Sequence, residues 1–354
     1  MIRVEVALPG ERSYPVVIGA GALAEAGQHA GERPFCVSEL TVFEAHAGLL
    51  PPLFATQVVP SGEAAKEWET LEATLSSMAF ERLDRRSVVL LFGGGAVLDV
   101  GGLAASLYMR GIRAVSCPTT LLAMVDASVG GKTAINIAGG KNLVGTFHQP
   151  VAVLADTRTL ATLPDSEWRS GLGEVVKTAL VDGDELLARV ERDARALAQR
   201  ELGSIDELIA ACVRAKARVV AADPHESGPR KALNLGHTFA HALEKVAGFG
   251  AIPHGVAVAC GLTLALAASE RAGLLEDRTL TARVDALLRS LGLPRSLGEL
   301  RMQHGALPPR ELLEAMKLDK KARDAQPKFV LPRRAGALQL DVELDSTLLL
   351  ELLA

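Results

Sequence analysis

Leu91-Phe-Gly-Gly-Gly-Ala-Val-Leu-Asp99 decides how the first half of this chain folds. An apolar run, Ser87–Phe92, leads into it, and a helical stretch, Asp99–Met109, leads out. Three glycines between a strand and a helix let the backbone approach a pyrophosphate, while the helix N-terminus supplies N–H donors and partial positive charge. The spacing is not G-x-G-x-x-G. Pattern alone therefore leaves two readings open, a dinucleotide site and a merely tight turn.

Working outward, Ile2–Leu8 and Pro15–Ile18 read as strands. Phe35–Val37 and Thr56–Val59 are short apolar runs of the kind a buried parallel sheet needs. Gly62–Arg82 has helical composition with Glu63 early. Strands alternating with helices predict a doubly wound, Rossmann-like α/β domain over residues 1–160. The character changes beyond Asp156–Leu163. Ser166–Leu180, Asp184–Ala198, Ile205–Ala222, Leu235–Val246, Gly255–Arg271 and Thr279–Leu291 suit helices, and Lys328–Leu331 suits a short strand. A mostly α-helical domain over residues 161–354 is predicted, and a chain of 354 residues is long for one core.

Apolar residues make up 49% and charged residues 23%, an ordinary globular balance, and the net charge of −4 advertises neither a nucleic-acid nor a membrane partner. Cys36, Cys117, Cys212 and Cys260 are far apart without a CxxC pair, which argues against a disulfide framework or a cysteine–zinc site. The N-terminus lacks a hydrophobic signal core, and the apolar stretches are too short or too broken to span a bilayer. These features lead to the expectation of a cytoplasmic protein.

Pro118–Thr133 ends in Gly130-Gly-Lys-Thr133 and looks like a P-loop. Asp126 stands where G-x-x-x-x-G-K-[ST] needs its first glycine, so ATP is a poor candidate. Lys132, Lys141, Asn142 and, upstream, Arg110 are candidate anion donors among small residues; the bland reading is a solvated basic set. In the second half, His237 and His241 are four apart in Asn234-Leu-Gly-His-Thr-Phe-Ala-His241 and share one helix side. Thr238 replaces the glutamate of HExxH. His254 opens another helix, and Glu174 lies in Gly171-Leu-Gly-Glu-Val-Val-Lys177. Two or three histidines plus a carboxylate and an open position suit catalytic zinc. Spacing cannot choose the ligands among Glu174, His237, His241 and His254. His29, His46, His225 and His304 read as surface residues, and Lys216, Arg230, Lys320 and Lys321 taken singly read as surface charges.

Taken together, Pro60–Lys66, Tyr108–Gly111, Pro118–Thr133, Gly140–Asn142, Gly171–Lys177, Leu233–His241 and Leu318–Lys321 resemble the 3-dehydroquinate synthases, within the sugar phosphate cyclases. The resemblance spans nearly the whole chain. It implies a cytoplasmic homodimer, a Rossmann-like domain followed by a helical domain, and an active site in the cleft between them. It implies zinc, with cobalt as the alternative ion, held by Glu174, His237 and His254. Asp126, Lys132, Asn142, Lys177, Lys216, Arg230, Asn234, His241 and Lys320 match substrate positions, and Arg110 matches a residue reaching the partner subunit's site. Glu63, Lys66, Gly94, Gly95, Asp99, Thr119, Thr120, Lys141, Thr162 and Leu163 match the NAD pattern, with Glu39 where the family usually has aspartate. Leu98 stands where the family usually has glycine, a feature shared with valiolone-type cyclases. Asn234 and His241 are of the dehydroquinate type. The implied small-molecule substrate is 3-deoxy-D-arabino-heptulosonate 7-phosphate, oxidised and then re-reduced by one bound NAD around phosphate loss and ring closure.

Overall fold

The computed structural model describes residues 1–10, 12–138, 140–317 and 326–354. Contacts gather them into two units: Met1–Pro164 with Ser204–His225, and Asp165–Gly203 with Glu226–Ala354.

In the first unit the strands are β1 (Ile2–Val6), β2 (Tyr14–Ile18), β3 (Pro34–Glu39), β4 (Ala55–Val59), β5 (Val88–Gly93), β6 (Arg113–Pro118), β7 (Lys132–Ile137), β8 (Gly140–Phe147) and β9 (Ala152–Ala155). Seven of them form one sheet in the order β1-β2-β9-β6-β5-β3-β4. Every neighbouring pair is parallel except β1–β2. The sequence shows why. Central β5 is buried along its whole length and reads as a continuous apolar run, whereas edge strand β1 alternates. Successive residues face opposite sides, so Val37 and Leu91 join one core with Val97, Leu98 and Leu103. Their neighbours Cys36, Leu90 and Phe92 join the other, with Leu23, Val115 and Cys117. None of the four cysteines forms a disulfide, and all four are buried. Burial pushes the Cys36 thiol up to about 12, so it behaves as an apolar filler.

The glycine-rich turn ends β5, and Gly95–Leu107 forms a helix, starting one turn earlier than the sequence suggests. Leu98, the departure from the family pattern, points into the core and is 4% exposed. Lys132–Phe147 forms an antiparallel hairpin, a stretch to which the sequence assigns candidate anion donors but no secondary structure. Helix Ile205–Ala222 groups with this unit, although the sequence division puts it in residues 161–354. Its buried Leu208, Ile209, Cys212 and Val213 form an apolar face, and the helix packs on β1 and β2. An amphipathic pattern records that a face is covered, not what covers it.

In the second unit, helices Asp165–Asp182 and His254–Arg271 are central: Gly171–Leu180 and Gly255–Leu262 are buried without a break. Asp184–Ala198 buries only the stripe Leu186, Leu187, Val190, Ala194 and Leu197. Strand β10 (Lys328–Arg334) pairs antiparallel with β11 (Ala337–Glu343), a partner not foreseen from sequence.

One buried carboxylate closes the first unit. Asp156, fully buried at the end of β9, accepts from Gly21 N (3.1 Å), Leu23 N (3.2 Å) and Arg158 Nη2 (2.6 Å). It fixes the turn that carries Thr162 and Leu163. Burial raises its pKa, but the donors, led by Arg158, outweigh burial and hold it below the usual carboxylate range. A depressed folded-state pKa contributes stability above the unfolded value, and that stability is lost as pH falls through the folded value. Asp156→Asn should therefore cost about 1–3 kcal/mol near neutral pH. In urea titrations run down through the carboxylate range, the gap between the two proteins should shrink. A gap that widens toward acid would contradict this.

Candidate active site

Three helices of the second unit meet through glycines, and each meeting sets a polar side chain beside it. A β-carbon added to Gly173 would lie 1.9 Å from Gly255 O, and one added to Gly255 would lie 1.7 Å from Ser170 O. Helices Asp165–Asp182 and His254–Arg271 therefore touch backbone to backbone, which sets Glu174 beside His254. Likewise a β-carbon on Gly261 would lie 2.2 Å from Gly236 O. That approach brings in His237, which starts helix His237–Ala247 after Gly236 turns at φ 76°.

The result is a trio. One ligand atom from each of Glu174, His237 and His254 lies within 4.8 Å of the others. Glu174 Oε1 is 3.2 Å from His254 Nε2 and 3.6 Å from His237 Nε2. His237 Nδ1–H donates to Leu235 O at 3.1 Å, and His254 Nδ1 faces Glu244 Oε2 at 3.2 Å. Both Nε2 atoms thus turn toward Glu174. Lys177 Nζ sits 2.5 Å from Glu174 Oε2, yet neither carboxylate oxygen receives an aligned hydrogen bond. Burial, then the Lys177 charge, hold the His237 imidazole well below its ordinary pKa, so it is neutral and offers a lone pair. Burial opposes charge on His254 as well, but its contacts with Glu174 and then Glu244 lift it to about 10.

Two imidazole nitrogens and one carboxylate oxygen are the donor set of catalytic zinc. Side-chain exposure rises from 1% at Glu174 through 12% at His237 to 32% at His254, so the cluster is closed on the core side and open on the other. Buried carboxylate oxygens without aligned donors are costly unless something else satisfies them, and a divalent ion fits that need. His241 is not in the trio; its ring lies 5.5 Å from His237 and 6.1 Å from His254. Two further candidates lie nearby in sequence. Arg230 is buried in the Pro229–Asn234 turn, and Asn234 Nδ2 donates to Glu226 at 2.7 Å. Glu226 carried no sequence signal. Its positive φ of 56° is a backbone feature that sequence does not show.

In the first unit a second polar cluster surrounds the glycine-rich turn. Lys66 Nζ donates to Asp99 Oδ2 at 2.6 Å and also to Asn142 Oδ1. Glu63 lies 3.5 Å from Lys141 Nζ and accepts from Asn136 at 2.7 Å; Asn136 Oδ1 in turn accepts from Asn142 N. The hairpin thus brings Asn142, expected on the substrate side, onto the Lys66 network. It also brings in Asn136, which sequence reading missed. Gly94 packs so closely that a β-carbon would meet Thr120 at 3.1 Å, and the buried Thr119 Oγ1 has no hydrogen-bond partner. A cradle of this kind, at a helix N-terminus with an unspent hydroxyl, fits a pyrophosphate-bearing nucleotide. Thr162 Oγ1 meets His46 Nε2 at 2.6 Å, so His46 is not simply a surface residue. Glu39 ends β3 and precedes helix Leu40–His46.

Lys216 reaches from helix Ile205–Ala222 to the Asp126 carboxylate and to Asp126 O, on the Ala123–Ala127 turn. Lys132 begins β7. Met109 and Arg110 both have positive φ, 50° and 67°, on an exposed turn. Consecutive left-handed, non-glycine residues are backbone strain of the sort that collects at functional positions. Lys320 and Lys321 lie outside the described residues.

Comparison with known proteins agrees with this geometry. Residues 56–170 match the 3-dehydroquinate synthase N-terminal family model, and residues 171–322 match the C-terminal one. The chain belongs to the 3-dehydroquinate synthase family. The family's member from Rhodospirillum rubrum is 44% identical over 95% of this chain and 90% of its own length. The member from Pseudomonas putida is 42% identical over 92% and 90%. Among solved structures, a 2-epi-5-epi-valiolone synthase from Streptomyces hygroscopicus subsp. jinggangensis, with NAD+ and Zn2+ bound, is 30% identical with a TM-score of 0.86, over 98% of this chain and 97% of its own.

For this 3-dehydroquinate synthase family member, the glycine contacts make a direct prediction. Gly255→Ala should destabilise the chain by about 1–3 kcal/mol through overpacking and lower its zinc content. Gly298→Ala, where the nearest atom is 3.7 Å away, should change zinc content little. Urea titration and the zinc-to-protein ratio check both, and full zinc content in Gly255→Ala would contradict the account.

Proposed function

We propose that this chain converts 3-deoxy-D-arabino-heptulosonate 7-phosphate to 3-dehydroquinate and inorganic phosphate, a carbon–oxygen lyase step of the shikimate pathway toward chorismate and the aromatic amino acids. The observation that carries the reading is the Glu174, His237 and His254 trio within a chain that is 41–44% identical to 3-dehydroquinate synthases over nearly its full length. Glu174, His237 and His254 hold a divalent ion, zinc or cobalt, and the cluster around Gly94, Gly95, Thr119, Lys66, Asp99 and Glu63 holds NAD.

When bound, zinc supplies Lewis-acid polarisation of a substrate hydroxyl, and NAD supplies a hydride acceptor that is restored within the turnover. The chain's own groups bind and orient. A substrate with a carboxylate at one end and a phosphate at the other needs cations for both. Lys216 and Arg230 take the carboxylate; Lys132, His241 and Lys320 take the phosphate, with Asn142 among the substrate contacts. Lys216 is held in place by Asp126, and Asn234 by Glu226. Lys177 stands against the Glu174 carboxylate and positions it for its ion. The chain works as a cytoplasmic homodimer in which Arg110 serves the partner's site.

A valiolone-type cyclase is the second reading, favoured by Leu98 and by the likeness to the Streptomyces enzyme. Its substrate lacks the carboxylate, so Lys216 and Arg230 would have less to do.

Three experiments test these assignments. Purified protein of measured zinc content should release phosphate from the heptulosonate and not from a seven-carbon sugar phosphate lacking the carboxylate. His237→Ala should lose zinc and about 10³-fold or more in kcat, several kcal/mol of activation free energy. Release from the non-carboxylated sugar alone would establish the second reading. Arg110→Ala and His237→Ala chains, each inactive alone, should regain activity when subunits are mixed, because one site of a mixed dimer is then complete. No recovery in verified mixed dimers would place Arg110 in its own subunit's site or outside any site.

A further inference from the structure

His237, His241 and Glu244 stand at i, i+4 and i+7 on helix His237–Ala247, and so share one side of it. Glu244 is 2% exposed. A carboxylate buried that deeply in a helical layer costs free energy unless its charge has work and partners. One partner is His254, whose Nδ1 lies 3.2 Å from Glu244 Oε2. The other nitrogen of the same ring, Nε2, lies 3.2 Å from Glu174 Oε1. One imidazole is therefore clamped between two buried carboxylates from two different helices, Glu174 on the ion side and Glu244 on the far side.

We propose that Glu244 is a positioning residue for the metal centre: it takes the Nδ1–H of His254 and so fixes the ring and the tautomer that leave Nε2 free for the ion. The inference rests on the trio being the metal site. A carboxylate in this place does two things a neutral group does not. It makes the opposite nitrogen a better donor, and it locks the ring against rotation. His237 has a weaker version of the same arrangement, with the neutral carbonyl of Leu235 as acceptor. The two imidazoles thus differ in basicity by construction. The one at the open edge, His254, receives the charged partner.

The test uses the full-length chain without substrate. Zinc affinity is measured by competition with a chromophoric chelator for wild type, Glu244→Gln and Glu244→Ala, together with melting temperatures of the metal-free and zinc-loaded forms. Glu244→Ala should weaken zinc binding about 10–100-fold. Glu244→Gln keeps an acceptor and loses the charge, and should fall between it and wild type. The rise in melting temperature on adding zinc should shrink in the same order. A merely structural tie between helices would lower both melting temperatures together and leave zinc affinity unchanged; that result overturns the proposal. If Glu244→Ala does not fold, the near-isosteric Glu244→Gln decides alone, and wild-type zinc affinity in it is the overturning result. A wild-type chain that takes up no zinc brings down the metal reading itself, a different outcome from a wild type that binds and variants that bind equally well.

Discussion

The contact on which the rest depends is backbone against backbone: Gly173 on Gly255, and Gly236 on Gly261. Side chains hold most packed helices 8–10 Å apart. Removing the β-carbon at a crossing lets the axes come closer, and the residues flanking the crossing then converge. Here those residues are Glu174, His237 and His254, each next to one of the glycines. A packed helical layer would ordinarily exclude them. Gly171–Leu180 is continuously buried, so Glu174 and Lys177 sit where apolar side chains would be more stable. The fold keeps a charged pair there because the crossing presents it to two imidazoles.

The first unit solves a related problem with a different device. It too buries cations, and each of the two is paired with a carboxylate: Lys66 with Asp99, and Lys216 with Asp126. Buried pairs of this kind add little net stability, because desolvation offsets attraction. What they give is fixed position. Burial raises the Asp99 pKa, and the Lys66 charge works against that rise. A lysine held at one place by a carboxylate, beside a glycine turn and a helix N-terminus, is a site prepared for a phosphate-bearing ligand. The net charge of −4 hides this arrangement, since it averages over a surface that has nothing to do with the site.

Much of the architecture was legible in the sequence because burial has a period. β3 and β5 announced themselves as unbroken apolar runs, and the glycine turn fixed where the strand ended. Other features carried no such mark. The β7–β8 hairpin is polar and glycine-rich, so it reads as a loop until its partners are known. Helix Ile205–Ala222 shows an apolar face without naming the strands that cover it. At the site, ligand types were visible at helical spacing, but the choice among four candidates came only from the family resemblance and then from distance. His241 shares the helix face with His237, and rotation alone cannot separate a ligand from a neighbour. Asn136 and Glu226 act through hydrogen bonds across distant segments, which local pattern does not encode. Glu244 was within reach of the helical period, three residues past His241; what the period lacked was His254, contributed by another helix.

Substrate choice then turns on something the fold does not decide. The structure shares a TM-score of 0.86 with a valiolone synthase, so the scaffold is common to enzymes of different substrates. Leu98, the residue that most invited the valiolone reading, is buried among Val97, Leu103 and Leu91 on the core side of its helix. It packs against the sheet, so it bears on nucleotide or substrate only through packing. A carboxylate-bearing substrate needs charge matched at its end, and a polar site built for a group rejects the analogue that lacks it, because its buried donors are left unpaired. Arg230, 1% exposed, and Lys216, 7% exposed, are buried cations. Lys216 already has the Asp126 carboxylate beside it, so its charge is held at a fixed place by the fold itself, whatever the substrate brings.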